Sequence, residues 1–461
     1  MSERFDALII GAGMSGMAAS IRLAMYGQKV VVLERHLIPG GLNSYYQRGK
    51  RSFDVGLHAL TNFVEKGQKG PLTKLMKQLR IPYEAFDLIP QKRSLIHFPS
   101  QKLGFTNEFE YFRSEVHQAF PNDTENFDRL IEKIRSFNET ALTNEYLSAK
   151  LVVKQFIRDE LLVEMIFAPL LIYGSAWEND MDFSQFVIMF KALYFEGFSR
   201  PRGGVRTIID LLMKKMEEVG VDLRFKTGVA AIITGEGRVR GVETDKGDIL
   251  ECAKIYSSAG FGETLKMMTD EPSTQPRVGA LSFTESLFCL DKKVRSTGFE
   301  DTIVFYNDSD KYHYQASAEL YDPRSAVICV PNNYSQDDAQ EEMVRVTYIA
   351  NFAKWNELPR PQYKIEKEKM GQAAWNLVNQ VVPNLNANIL FQDLFTPTTV
   401  KKYTGHEGGA VYGSPDKTRS GQTGIEGLYI IGTDQGFLGI VGAMLSGISI
   451  ANLYGLVGGD A

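Results

Sequence analysis

The sequence predicts a two-domain α/β protein, and three observations support this prediction. The chain has 461 residues, which is enough for two or three domains of ordinary size. With 44% hydrophobic and 23% charged residues, its composition is that of a folded protein with a sizeable core. Glycine-rich blocks alternate along the chain with aromatic stretches of helical pattern, and the first block runs as strand, turn, helix and strand.

The charge balance and the cysteine spacing exclude several kinds of function. The chain has 51 basic and 56 acidic residues, a net charge of −5, and its basic residues are dispersed, so we expect no nucleic-acid partner. Cys252, Cys289 and Cys329 lie far apart without Cys-x-x-Cys spacing, which predicts neither a metal site nor a disulfide framework. We therefore expect a protein of the cytoplasm, with attachment to a membrane surface left open.

The segment 6–33 predicts a βαβ unit of the Rossmann-like kind. An apolar strand is followed by a helix over 14–26, which Gly27 closes, and by a second apolar strand at 29–33. A second block, 201–260, predicts a helix and then a three-stranded meander, because Gly-containing turns separate three short β-rich runs.

The turn after the first strand carries the Gly-x-Gly-x-x-Gly pattern of dinucleotide-binding proteins. Gly11 allows the tight turn, Gly13 lets the backbone approach a pyrophosphate, and Gly16 lets the helix pack closely on the strand. Free N–H groups at the helix N-terminus favour the anion, and the carboxylate of Glu34 is suited to ribose hydroxyls. The pattern alone does not separate NAD from FAD. The predicted dinucleotide contacts here are Gly11, Gly13, Met14, Ser15, Gly16, Glu34 and Arg35.

Further segments resemble signatures of the phytoene desaturase, carotenoid isomerase and retinol saturase family of flavoproteins. One runs from Pro39-Gly40-Gly41 through Tyr45-Tyr46 to Phe53-Asp54-Val55-Gly56-Leu57-His58. Another comprises Gly408-Gly409-Ala410-Val411-Tyr412-Gly413, Gly427-Leu428-Tyr429-Ile430-Ile431-Gly432-Thr433-Asp434 and the glycine-rich run 439–447. Pro201-Arg202-Gly203-Gly204 and the meander are similar to the middle block, so the resemblance extends along the whole chain.

This resemblance implies FAD as the cofactor. A single βαβ unit reaches only the adenosine and pyrophosphate, so a remote segment must hold the ribityl chain and the ring. Asp434 is suited to the ribityl hydroxyls, and a helix starting near Ile440 can direct its N–H groups at the flavin ring. The family's middle block implies a backbone contact from Val229 to adenine. The further implied FAD contacts are Gly40, Gly41, Leu42, Gly56, Leu57, Val229, Gly432, Asp434, Ile440, Val441 and Gly442.

His58 is the candidate catalytic acid or base. The resemblance implies that the segment 53–61 lies near the flavin ring, where an imidazole could exchange protons at working pH. A packing or capping histidine is the alternative. A strong base is not required for hydride loss from a hydrocarbon, because an apolar, electron-rich pocket can accommodate the carbocation-like centre.

The alternating blocks predict a discontinuous FAD-binding domain at 1–71, 192–279 and 396–461. A substrate-binding domain of mixed α+β structure is inserted at 72–191 and 280–395. Within it, the aromatic stretch 165–195 predicts either the lining of a pocket for a long lipophilic ligand or an ordinary core. The helical pattern at 71–80 has one apolar face and three basic residues elsewhere, which predicts either a membrane-surface helix or a helix packed on its own domain.

The expected function is FAD-dependent, phytoene desaturase-like oxidation of carbon–carbon bonds in a hydrophobic polyene or isoprenoid substrate. Flavin-dependent saturation or cis–trans isomerisation of such a substrate is the first alternative. A flavin amine oxidase and a non-catalytic escort protein for lipids or prenyl groups are the others. No second Gly-x-Gly-x-x-Gly follows a strand and opens a helix, so no NAD(P)H site is predicted. The sequence does not indicate an oligomeric state.

Overall fold

The computed structural model describes residues 3–270, 274–334 and 341–456. The strands in these residues are β1 (Glu3–Ile10), β2 (Val30–Glu34), β3 (Tyr45–Arg48), β4 (Arg51–Asp54), β5 (Leu88–Pro90), β6 (Ser94–His97), β7 (Lys102–Phe105), β8 (Ser199–Pro201), β9 (Asp222–Phe225), β10 (Val229–Gly235), β11 (Arg238–Thr244), β12 (Ile249–Ser257), β13 (Ser282–Leu290), β14 (Ile303–Asn307), β15 (Ser325–Cys329), β16 (Glu342–Ala350), β17 (Ile389–Phe395) and β18 (Leu428–Ile430). The α-helices are α1 (Met14–Ala24), α2 (Pro71–Gln78), α3 (Phe109–Ala119), α4 (Thr124–Ser136), α5 (Ala149–Val153), α6 (Glu160–Gly174), α7 (Phe183–Phe190), α8 (Val205–Glu218), α9 (Phe261–Lys266), α10 (Phe352–Glu357), α11 (Arg360–Val381), α12 (Pro397–Thr404) and α13 (Gly439–Ile450).

The first sheet has the strand order β10-β11-β12-β1-β2-β9, and β18 pairs with the end of β12. The strands β12, β1, β2 and β9 are parallel, whereas β10, β11 and β12 form the antiparallel meander that the turn signals predict. The βαβ unit at the start of the chain also forms as predicted, with α1 ending at Ala24. The predicted Rossmann-like α/β fold is therefore confirmed.

One edge of the first sheet collects the chain segments that follow its parallel strands. Ile10 at the end of β1 pairs with Leu33 of β2 and with Ser257 of β12, and Ser257 also pairs with Ile430 of β18. Ligands of open parallel sheets bind outside the carboxyl ends of the strands. This edge therefore brings the N-terminal glycine turn and the C-terminal glycine-rich segment together.

The second sheet has the order β17-β13-β16-β15-β14-β6-β7 and is antiparallel except between β14 and β6. Side chains of α11, including Leu377 and Val378, pack with Val344 and Val346 of β16. A larger cluster contains apolar residues of α3 to α7 and of this sheet.

Most of the aromatic stretch 165–195 forms the core between the second sheet and the helices α3 to α7. Phe167, Phe186 and Phe190 are fully buried, and Tyr194 stacks on Phe112 with ring centroids 4.3 Å apart. The two predicted roles for this stretch were pocket lining and ordinary core, and these side chains have the second role. Tyr173 lies at the margin of the cluster and is only partly buried.

The strands of the first sheet all lie in the three chain pieces predicted for the FAD-binding domain, and those of the second sheet lie in the two inserted pieces. The predicted boundary at residue 72 stays a prediction. Leu72, Leu75 and Phe86 pack with α1 and α13 in the first core, because the apolar face of α2 is covered there. Residues 1–2, 271–273, 335–340 and 457–461 of the predicted ranges lie outside the described residues.

The apolar C-terminal segment packs against α1. Within the described residues, one helical stretch, Gly439–Leu456, is long and apolar enough to cross a membrane. Its Met444, Gly447 and Ile448 are buried, and a β-carbon at Gly447 would overlap the Ser15 carbonyl oxygen. This close backbone approach is typical of a core helix.

Candidate functional site

The glycine turn after β1 has the geometry that a pyrophosphate requires. Gly11 has φ +92°, and a β-carbon there would lie 2.5 Å from Ser258 Oγ. A β-carbon on Gly16 would overlap the carbonyl oxygen of Gly11, so only glycine allows this helix to start so close to the strand. At Gly13, by contrast, a β-carbon would meet nothing within 4 Å. The turn therefore leaves open space beside Gly13.

The helices α1 and α13 are among those that lack a side-chain cap at the N-terminus. Neither Gly13 before α1 nor Leu438 before α13 makes a side-chain cap hydrogen bond. A β-carbon on Gly439, like one on Gly13, would meet nothing within 4 Å. Uncapped N–H groups beside open space favour an anion or a carbonyl oxygen, as both ends of a dinucleotide provide.

Glu34 ends β2 and is buried, with 8% of its surface exposed. Its Oε2 accepts from the N–H of Ala12 and its Oε1 from the N–H of His36, both at 2.8 Å. The carboxylate thus fixes the glycine turn and still has lone pairs for a ribose. Arg35 next to it is exposed.

The chain runs from the glycine turn towards His58 through a series of close backbone contacts. Gly40 donates its N–H to the carbonyl oxygen of Ala12 at 2.8 Å. A β-carbon on Gly41 would lie 3.6 Å from the Gly13 α-carbon, and one on Gly56 would lie 2.6 Å from the Leu42 carbonyl oxygen. Leu57, the residue before His58, is buried. The predicted contacts Gly40, Gly41, Leu42, Gly56 and Leu57 are therefore continuous with Gly13.

Val229 starts β10, next to the loop that follows β9. The N–H of Thr227 donates to the Glu34 carbonyl oxygen at 3.0 Å, which places this loop beside the end of β2. A bulge between Val229 and Ala231 interrupts pairing with β11. The contact of Val229 with adenine stays a prediction.

The C-terminal segment contacts the N-terminal one directly. A β-carbon on Gly432 would lie 2.8 Å from Ser15 Oγ, and Ser15 precedes Gly16 in the first turn of α1. The N–H of Gly432 donates to Ser446 Oγ at 2.7 Å. Ile440 and Val441, in the first turn of α13, are buried, and a β-carbon on Gly442 would lie 3.0 Å from Phe437.

Asp434 is buried and accepts hydrogen bonds from three protein groups. Its Oδ2 accepts from the N–H of Phe261 at 2.7 Å, and its Oδ1 from the N–H of Ser414 at 2.9 Å and from Lys417 Nζ at 3.2 Å. Burial lowers the pKa of Lys417, while Asp434 raises it. Asp434 thereby organises the loops around it, and its predicted ribityl contact stays a prediction.

His58 belongs to a buried polar cluster that joins the segment after β4 to the second sheet. Its Nε2 lies 3.2 Å from Glu285 Oε1 on β13 and 3.3 Å from Thr347 Oγ1 on β16. Arg345 donates from Nε to Glu285 Oε1 at 2.6 Å. Arg200 donates to the His58 carbonyl oxygen at 3.1 Å and to Leu57 O at 2.7 Å.

The charges of this cluster are fixed by its neighbours. Burial would raise the pKa of Glu285, but the buried guanidinium of Arg345 is the main group that lowers it, to about 2. Burial lowers the pKa of His58 below its ordinary value, against the effect of Glu285. At neutral pH the histidine is therefore uncharged and Glu285 is ionised.

Sequence reasoning missed several residues of the site, namely Asp54, Arg200, Glu285, Arg345, Thr347 and Lys417. The available signal was a glutamate in the strand 282–290 and an arginine in the strand 342–350, because charged residues inside apolar strands are costly unless paired. Among the described residues no group of three or more His, Cys, Asp or Glu side chains is placed to hold a metal ion.

The residues present fit FAD. The open space at Gly13 and Gly439, the two uncapped helices and the buried carboxylate of Glu34 are suited to a pyrophosphate, a flavin edge and a ribose. Glu34 would hold the adenosine end and α13 the ring end.

The chain is similar to enzymes that act on polyenes. It is 26% identical to the chloroplastic prolycopene isomerase of Daucus carota, over 98% of this chain and 80% of that protein. It is 22% identical to the all-trans-retinol 13,14-reductase of Rattus norvegicus, over 96% and 84% of the two chains. It is 25% identical to the neurosporene-forming phytoene desaturase of Rhodobacter capsulatus, over 57% of this chain and 54% of that protein.

Solved structures share the fold. An oxidoreductase of Methanosarcina mazei matches with a TM-score of 0.68 at 16% identity, covering 96% of this chain and 99% of that one. A putrescine oxidase bound to putrescine matches with a TM-score of 0.63 at 14% identity, covering 98% and 99%.

The family comparison confirms the flavin cofactor that the two glycine-rich segments predict. The model of the flavin-containing amine oxidoreductases matches residues 14–453, which include the end of the N-terminal glycine turn, the whole C-terminal segment and every strand of the two sheets except β1. The predicted resemblance to carotenoid desaturases and isomerases is confirmed by the relatives. The chain is an FAD-dependent oxidoreductase, and it belongs to the flavin-containing amine oxidoreductase family.

Proposed function

We propose that this oxidoreductase acts on carbon–carbon bonds of a hydrophobic polyene or isoprenoid substrate, with desaturation as the first choice. The supporting observation is the similarity to prolycopene isomerase, which extends over 98% of the chain and includes every segment of the site. Saturation or cis–trans isomerisation of the same class of substrate is the second candidate, favoured by the similarity to a retinol reductase over 96% of the chain.

The residues of the chain have distinct tasks in this proposal. The turn 11–16 and Glu34 would bind the adenosine and pyrophosphate, and the first turn of α13 would face the flavin ring. Bound FAD supplies the redox chemistry as an acceptor or donor of hydride. His58 is uncharged at neutral pH and can accept a proton, and the paired Glu285 and Arg345 leave no uncompensated charge beside it.

A pocket lies between α6, α7 and the start of α13. It has a cavity volume of about 70 Å³ and lies between the loop 139–146, the turn between α6 and α7, and the residues 435–438. Leu142, Trp177 and Phe437 give it apolar walls, while Lys417 and Arg419 lie on its polar side. An apolar route that ends beside the predicted ring-binding helix supports entry of a lipophilic substrate here.

Two exposed apolar side chains, Leu142 and Tyr146, line this pocket, and Leu147 and Leu151 follow them in the chain. Leu142, Tyr146, Leu147 and Leu151 are between 46% and 68% exposed, whereas the apolar face of α2 is buried. We therefore assign membrane contact to this patch, residues 142–151, and not to α2. In this proposal the protein is cytoplasmic and collects its substrate at a lipid surface.

The decisive experiment is anaerobic incubation of the holoprotein with prolycopene, phytoene or all-trans-retinol while flavin absorbance is followed. Desaturation bleaches oxidised flavin and gives a product lighter by two hydrogens. With pre-reduced protein, saturation adds two hydrogens and isomerisation leaves the mass unchanged. If putrescine bleaches the flavin and none of the polyenes is converted, the protein is an amine oxidase and the proposal is wrong.

A further inference from the structure

The environment of His58 Nε2 determines where the imidazole carries its hydrogen. Two oxygens face this nitrogen, Glu285 Oε1 at 3.2 Å and Thr347 Oγ1 at 3.3 Å. The hydroxyl of Thr347 donates its own hydrogen to Glu285 Oε2 at 2.6 Å. Both oxygens can therefore only accept from the histidine, so Nε2 must be the protonated nitrogen.

The carboxylate that faces His58 is itself held in place. Glu285 and Thr347 are directly opposite each other on β13 and β16, and Arg345 lies two residues before Thr347 on the same face. Arg345 is 1% exposed and donates to Glu285 at 2.6 Å, to the Val55 carbonyl oxygen at 2.6 Å and to Leu57 O at 3.0 Å. One guanidinium thus fixes both the carboxylate and the backbone that leads into His58.

A second arginine holds the same segment from the other side. Arg200 donates to the carbonyl oxygens of Leu57 and His58 and pairs with Asp54, which also accepts from the N–H of Val205. The Sγ of Cys329 lies 3.7 Å from the His58 carbonyl oxygen. The charged and titratable groups around His58 are therefore Glu285, Arg345, Arg200, Asp54 and Cys329.

We infer that Glu285 is a positioning residue that holds His58 as the neutral Nε2–H tautomer and leaves Nδ1 as the proton acceptor. Within the described residues, Nδ1 makes no hydrogen bond, and 16% of the His58 side chain is exposed. The charges of the cluster agree with this assignment, because burial keeps the histidine neutral while Arg345 keeps the carboxylate ionised.

The role of this tautomer rests on the proposed function. Desaturation removes one hydride, which FAD takes up, and one proton from the neighbouring carbon. The electron pair of that second carbon–hydrogen bond forms the new double bond, and the proton passes to Nδ1. The imidazolium that results is paired with the ionised Glu285, which lowers the cost of forming the charge in a buried site.

The test is nitrogen NMR of the holoprotein labelled with ¹⁵N-histidine, which needs no substrate. The chain has six histidines, and His58→Gln assigns the relevant signals. We expect His58 to be neutral and protonated at Nε2 from pH 7 to 8. A predominant Nδ1–H tautomer in the wild-type protein would overturn the inference.

Two variants separate positioning from general packing. Glu285→Gln removes the anionic acceptor but leaves the buried charge of Arg345 without its partner. The double variant Glu285→Gln/Arg345→Met is therefore included, because it removes both charges together. In either variant the fraction of the Nε2–H form should fall below that of the wild-type protein. Thr347→Val is the matched control, since it keeps the carboxylate and should retain the tautomer. Equal tautomer changes in Thr347→Val and in the double variant would contradict a role specific to Glu285.

The outcome does not depend on the substrate. A protein that shows the Nε2–H tautomer but converts no polyene retains the Glu285–His58 relationship and loses the proposed function. A protein that desaturates a polyene with His58 in the Nδ1–H form retains the function and loses this inference.

Discussion

Gly447 on α13 and Ser15 on α1 are in backbone contact, because a β-carbon at Gly447 would overlap the Ser15 carbonyl oxygen. The two residues belong to the C-terminal and N-terminal halves of the FAD site. Their contact fixes the distance between α1, the helix predicted to bind the pyrophosphate, and α13, the helix predicted to face the ring.

Gly447→Ala should therefore force α1 and α13 apart. We expect a loss of stability of about 1–3 kcal/mol, the usual cost of overpacking, together with reduced flavin content. Thermal unfolding and the ratio of flavin to protein absorbance measure the two effects. Gly262→Ala is the control, because its β-carbon would come no closer than 3.7 Å to Pro276. An unchanged melting temperature in Gly447→Ala would contradict the close packing.

The flavin should be bound tightly but without a covalent bond. The binding segments at both ends of the chain are complete, and the described cysteines are all free and buried at positions outside these segments. Acid precipitation of the purified protein should release the yellow colour into the supernatant as FAD. Colour that stays with the pellet, or release of NAD, would show that the segments have been misinterpreted.

Glu34→Ala should weaken FAD binding by about ten- to a hundredfold, since a hydrogen bond to a charged group contributes about 1.5–3 kcal/mol. The structure adds a second effect, because the variant also leaves the N–H groups of Ala12 and His36 without their acceptor. Flavin retention on dilution measures the affinity. Glu34→Gln keeps an acceptor and should lose less; full retention by Glu34→Ala would eliminate Glu34 as the ribose ligand.

His58→Ala should retain FAD and slow substrate-dependent flavin reduction by about 10² to 10⁴, the range typical of a lost general base. Since burial depresses the pKa of His58, the wild-type rate should be constant above neutrality and fall only as acidification protonates the ring. Stopped-flow reduction from pH 5 to 9 tests this. A variant rate within about threefold of the wild-type rate across that range would show that His58 packs in the site and does not act as a base.

Charge on the patch 142–151 should abolish lipid binding. We expect Leu142→Glu/Leu151→Glu to reduce sedimentation with phospholipid vesicles at least tenfold, because the two side chains are 60% and 68% exposed. Flavin content should not change. The comparison is Leu37→Glu, which changes an equally exposed leucine elsewhere, at 62%. Equal losses in both proteins would show that the effect is not specific to the patch.

Local sequence patterns predicted the nucleotide-binding unit well. Apolar runs, closing glycines and turn residues specify β1, α1, β2 and the meander from neighbours a few residues apart. An amphipathic pattern shows that α2 has an apolar face but not which core covers it, so the boundary at residue 72 stays a prediction.

The cluster around His58 could not be predicted in this way. His58 and Glu285 are 227 residues apart in sequence, and Glu285 and Arg345 are 60 apart. Their meeting depends on the register of β13 against β16, which periodicity within either strand does not encode. The resemblance of the segment 53–58 therefore predicted a candidate base but not its partner.

The first sheet gathers its strands from distant parts of the chain, and β18 is added to β12 only at residues 428–430. A ribosome releases this strand and α13 long after the glycine turn has emerged. The nascent chain therefore completes its flavin site only after residues 428–450 have emerged. Contacts of such large sequence separation slow folding, so cofactor capture must wait until both distant segments are available.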